Sequence, residues 1–89
     1  MPTLSMFYGI LMSMYFMDTQ EHHSPHIHVR FGEFRAVFGI PDGNLLEGDF
    51  PIKNQKMVEA WIAIHTDELM ADWSLAVEGK ELFKIDPLR

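Results

Sequence analysis

There is no cysteine anywhere in the 89-residue chain. That excludes a disulfide framework, thiolate zinc sites and a cysteine nucleophile, and it leaves histidine and carboxylate as the side chains able to ligate a transition metal. Positive charge is scarce as well: seven Lys and Arg against thirteen Asp and Glu give a net charge of −6. Sequence-independent binding to phosphate backbones draws on clustered cations, so direct contact with nucleic acid is not expected. Met1–Met17 carries no charged side chain, but Pro2, Ser5, Gly9 and Ser13 interrupt it, and it falls short of the ~20 apolar residues of a membrane helix. It also lacks the basic n-region and small-residue cleavage site of a secretory signal, so a cytoplasmic home is expected. Gly-rich phosphate loops, nucleophile elbows and metalloprotease motifs are missing too.

What the chain does have is histidine in one place. Four of its five fall within seven residues, at His22, His23, His26 and His28. Imidazole binds metals, shuttles protons and switches charge near neutral pH, so chemistry or recognition is expected there.

Length and composition bound the fold to one domain, residues 1–89, with a single small core. The methionine-rich start, which holds five of the seven methionines, reads as one buried strand from Phe7 to Phe16. Ile10, Met12, Met14 and Phe16 fall on one side, with Leu11, Ser13, Tyr15 and Met17 on the other. Both sides are mostly apolar, which suggests a central strand or a homo-oligomer contact through this Met-rich segment. Residues His26 to Phe31 and Phe34 to Ile40 form a hairpin around Gly32-Glu33, a pair suited to a II′ turn. In that register Arg30 faces Arg35, His28 faces Val37 and His26 faces Gly39. Ile27, Val29, Phe31, Phe34, Ala36 and Phe38 make the apolar side, and His26, His28, Arg30 and Arg35 the polar one. Gly39 leaves space opposite His26.

The turn residues Pro41-Asp42-Gly43-Asn44 predict a return strand from Leu45 to Phe50. Helical spacing of Met57, Val58, Trp61, Ile62 and His65 predicts a helix over Ile52–His65, with His65 meeting its C-terminal carbonyls. Thr66 reads as the N-cap of a second helix, or the start of a bend and continuation, that ends at Gly79. Asp67, Glu68 and Asp72 read as a solvated face, Trp61 and Trp73 as core, and Leu82, Phe83, Ile85 and Leu88 as a tail lying back on that core. The fold class is α+β: an antiparallel sheet of about four strands covered by two C-terminal helices.

Three readings of the histidine segment follow. As a binding patch, His22, His26, His28, Arg30 and Arg35 receive an anion or a carboxylate-rich partner. As a metal site, His26, His28, His22 (or His23) and Glu21 hold zinc or nickel, although the opposed arginines count against a cation nearby. As a hydrolytic site, His26 or His28 is the base, Glu21 or Glu33 the acid or orienter, and Arg30 or Arg35 stabilises developing charge. Against all three stands a purely structural role, with the imidazoles satisfied by backbone or by Asp18, Glu21 and Glu47.

The segment from Met1-Pro2-Thr3-Leu4-Ser5-Met6-Phe7-Tyr8-Gly9-Ile10 through Tyr15-Phe16, the element His23-Ser24-Pro25-His26-Ile27-His28, the Gly32-Glu33 turn, Leu46-Glu47-Gly48, and Glu68-Leu69 with Trp73 together resemble the bacterial domain-of-unknown-function 4160 family. Glu21 stands where that family's pattern has aspartate, Ser24 replaces a proline and Ile27 a phenylalanine, while His22, His26 and His28 are kept. The resemblance implies a small cytoplasmic protein encoded beside another small protein, in a toxin–antitoxin-like pair. It brings no established activity.

Overall fold

The computed structural model describes residues 3–15 and 24–88. Five strands, β1 (Thr3–Phe7), β2 (Ile10–Ser13), β3 (His26–Phe31), β4 (Phe34–Gly39) and β5 (Leu45–Gly48), precede two helices, α1 (Ile52–Ile64) and α2 (Thr66–Val77). The strands form one antiparallel sheet in the order β1-β2-β3-β4-β5, so every strand lies beside its sequence neighbour. The α+β class holds, with one strand more than expected.

The extra strand comes from dividing the Met-rich segment. Tyr8 and Gly9 both have positive φ, 50° and 77°, the pattern of a type I′ hairpin turn. Tyrosine rarely adopts that conformation, so one central strand from Phe7 to Phe16 gives way to the hairpin β1–β2; Phe16 itself lies outside the described residues. Of the methionines expected at a subunit contact, Met12 and Met14 are buried in this chain's own core, while Met6 is exposed.

The β3–β4 hairpin adopts the expected register: Phe31 opposite Phe34, Arg30 opposite Arg35, His28 opposite Val37 and His26 opposite Gly39. Of its two turn residues only Gly32 has positive φ, 57°, as a II′ turn requires. One face of the sheet, with Phe7, Ile10, Met12, Ile27, Val29 and Phe38, packs on Val58, Trp61 and Ile62 of α1 and Leu69 and Ala76 of α2. Each such side chain taken fully out of water contributes about 1.5–3 kcal/mol, so this layer is the main source of stability.

The helices differ from expectation in two details. His65 sits at the cap position between them, where its Nδ1 lies 2.6 Å from Glu68 Oε1. Thr66 opens α2 without capping it and turns its hydroxyl back to the Ile62 carbonyl at 2.8 Å. At the far end Gly79, at φ 72°, closes α2 with Gly79 N–H donating to Ala76 O and Lys80 N–H to Leu75 O, the paired bonds of a Schellman motif.

Beyond it the tail is fastened at three points. Phe83 N–H donates to Asp72 Oδ1 at 2.9 Å, Ile85 N–H to the Leu4 carbonyl of β1 at 2.9 Å, and Trp61 Nε1 to the Asp86 carbonyl at 2.8 Å. Ile85 is buried and Leu82 and Leu88 pack against the core, whereas Phe83, expected to join them, is exposed. The tail also overturns the reading of Asp72 as part of a solvated face. Asp72 is only 2% exposed, and its Oδ2 has no hydrogen-bond partner among the described residues. Burial pushes its carboxyl pKa up, the Phe83 N–H opposes that, and the nearby Glu68 charge adds to it.

Candidate functional site: the open face of the sheet

Directly paired residues on neighbouring strands share a face, so the register writes out the sheet surface opposite the helices. One row runs Thr3, Ser13, His28, Val37, Glu47 across all five strands. The next runs Met6, Leu11, Arg30, Arg35. Together with Tyr15 and Gly48, most of these residues line a concavity of about 560 Å³, within the size range of ligand sites. Ser13 and Val37 are buried on its floor, and Arg30, Arg35 and Glu47 are exposed at its rim. Gly48 is fixed there by contact: at φ 92°, a Cβ on it would sit 2.2 Å from the Arg35 carbonyl oxygen.

The two arginines are the clearest electrostatic feature. They are direct cross-strand partners in an acidic chain. The ion pairs among the described residues, His65–Glu68 and Lys80–Glu78, involve neither of them. Opposed like charges are unfavourable.

Histidine divides between two layers. The His28 ring is half-buried on the open face, with Tyr15 edge-on at 4.4 Å between centroids. His26 starts the same strand but is 1% exposed, 5.0 Å from the Trp73 ring of α2 and 5.4 Å from His28. Its Nδ1 lies 2.9 Å from the Ser24 carbonyl, a bond that needs the proton on Nδ1. His26 is therefore an interior residue outside the lining of the groove, which corrects its placement on the exposed polar stripe. The space expected above Gly39 is taken by Leu46, whose Cδ1 would meet a Cβ there at 3.5 Å.

Of the expected patch, His28, Arg30 and Arg35 come together in the groove, and His26 is buried outside its lining with its ring 5.4 Å from that of His28. His22, His23, Glu21 and Asp18 lie outside the described residues. Among the described residues no group of three or more His, Asp or Glu converges as a metal site requires. Thr3 and Gly48 join the lining without having been anticipated. Leu11 and Ser13, read with Tyr15 as the second side of a buried strand, turn out to be the groove's own side of β2, and Tyr15 lines the groove just beyond that strand.

Fold and groove together define a two-layer α+β domain with helices on one face of its sheet and a polar, concave surface on the other. Within that class the chain belongs to the family described as Domain of unknown function (DUF4160), whose model matches residues 9–74. The match runs from the β1–β2 turn into α2, so β1 and the tail lie outside it, and it starts later than the resemblance, which begins at Met1. No curated protein and no solved structure matches the chain. Among the described residues no helix is long and apolar enough to cross a membrane.

Proposed function

We propose that the protein is a cytoplasmic binding domain, one half of a two-protein module whose other half is the small protein encoded beside it, and that the partner meets it on the open face of the sheet. The observation that carries this reading is the Arg30–Arg35 pair. A carboxylate brought between two opposed guanidinium groups turns a repulsion into charge-assisted hydrogen bonds, each about 1.5–3 kcal/mol. The groove supplies the rest of a recognition surface: apolar floor, hydroxyl groups at Thr3 and Ser13, and aromatic walls from Tyr15 and His28.

The test is co-expression with the neighbouring gene product, followed by affinity measurement at low and high salt. A complex that survives chelator, weakens with salt and loses about tenfold or more in affinity on Arg30→Ser/Arg35→Ser supports the reading. Failure to form a complex, or a complex indifferent to both arginines, overturns it. Calorimetric titration with zinc and nickel, repeated on His26→Ala/His28→Ala, separates the metal reading: metal binding lost in that variant, with no protein complex, would favour it.

A further inference from the structure

We infer that the occupant of the groove is an acidic amphipathic helix of the partner, laid across the strands; this rests on the binding reading above and specifies its ligand. Three features of the open face lead there. The row Thr3, Ser13, His28, Val37, Glu47 crosses all five strands. Four inter-strand steps of about 4.8 Å make it about 19 Å long, the length of a helix of about 13 residues.

Backbone chemistry then selects helix over strand. The N–H and C=O groups of a sheet lie in its plane and are paired with neighbouring strands, so its face offers few partners to another backbone. An extended segment laid there would bury unsatisfied amides, whereas a helix satisfies its own. A partner strand would add at an edge instead. On β1 the Leu4 carbonyl already accepts the tail's Ile85 N–H, which leaves β5 as the more open edge.

Charge fixes the helix's sequence pattern. Arg30 and Arg35 flank the row from adjacent strands, with Cβ atoms about 5 Å apart by the geometry of antiparallel pairs. That matches the ~5–6 Å between residues three or four apart on a helix. Two carboxylates at that spacing would each meet one guanidinium. Met6 and Leu11 continue the same flank, so apolar residues follow the acids along the helix, above a floor that includes Val37.

The experiment uses the full chain, methyl-labelled at Leu and Val, in complex with the co-expressed partner. The expected result has four parts: shifted methyl signals at Leu11 and Val37, unchanged hydrogen exchange at the amides of β5, one stretch of about a dozen partner residues newly protected, and acids three or four apart within it. Arg35→Glu is expected to weaken the complex about tenfold or more, and lysine at one of those partner acids to restore it. A complex that shifts Leu11 and Val37 but protects no such stretch of the partner, or that also protects the amides of Leu45–Gly48, overturns the helix while the binding reading stands; one that leaves Leu11 and Val37 unshifted overturns both. Absence of any complex overturns both.

Discussion

Removing one arginine from the open face is expected to make the isolated protein more stable, because Arg30 and Arg35 oppose each other directly across β3 and β4. Two unit charges about 6 Å apart in water repel by roughly 0.7 kcal/mol, and measured cross-strand effects run to about 0.2–1 kcal/mol. The pair is exposed, so the lower half of that range is the better expectation and salt should shrink it. Single substitutions also change the attraction of each cation to a chain of net charge −6, a bias that acts against the gain. A double-mutant cycle over Arg30→Ser, Arg35→Ser and the double variant cancels it. Urea denaturation of the four proteins at low salt should give a repulsive coupling of about 0.2–0.6 kcal/mol, and the same cycle at high salt a value near zero. An attractive coupling, or one indifferent to salt, would refute the reasoning that these arginines are held in place for a ligand.

Asp72 gives a pH-dependent prediction. Its folded pKa lies above the ordinary 3.8, so the folded state binds more protons in the window above that value, and stability falls as pH rises through it. Asp72→Asn keeps an oxygen to accept the Phe83 N–H and should remove that slope and be at least as stable at pH 7. Asp72→Ala leaves the N–H without its acceptor and should cost about 1–3 kcal/mol; equal pH profiles for wild type and Asp72→Asn would contradict this. Gly48→Ala should lose at least about 2 kcal/mol in chemical denaturation, since its Cβ would collide with the Arg35 carbonyl and pry β5 from β4. Ile85→Ala, which empties the buried anchor of the tail, should cost roughly 2–5 kcal/mol, seen as a lower denaturation midpoint with an unchanged slope.

Much of the site could be read from the sequence because its information is local. A Gly-X pair between two alternating runs fixes a hairpin register within a dozen residues, and that register alone puts Arg30 opposite Arg35. Where the deciding contact is distant in the chain, local patterning fails. The strand period puts His26 beside His28, but only α2 could supply the Trp73 ring that buries it. Asp72 has the sequence environment of a surface acid, and the tail's Phe83 N–H makes it an interior one. The missed β1–β2 turn has a different cause: tyrosine at positive φ carries no turn signature. Both helix ends are local, and they differ in legibility: Gly79 announces a Schellman closure, whereas Thr66 spends its hydroxyl on the Ile62 carbonyl one turn back instead of capping.

The chain contains two tryptophans, and their surroundings make each an optical probe of a different event. Trp61 is fully buried with its indole N–H on the Asp86 carbonyl, so release of the tail would wet it and move its emission to the red. Trp73 is half-buried on α2 against the His26 ring of β3, so parting of helix and sheet there would change its emission. With Trp61→Phe and Trp73→Phe in hand, intrinsic fluorescence would report the seating of the tail and the packing of α2 against the start of β3 separately, without any added label.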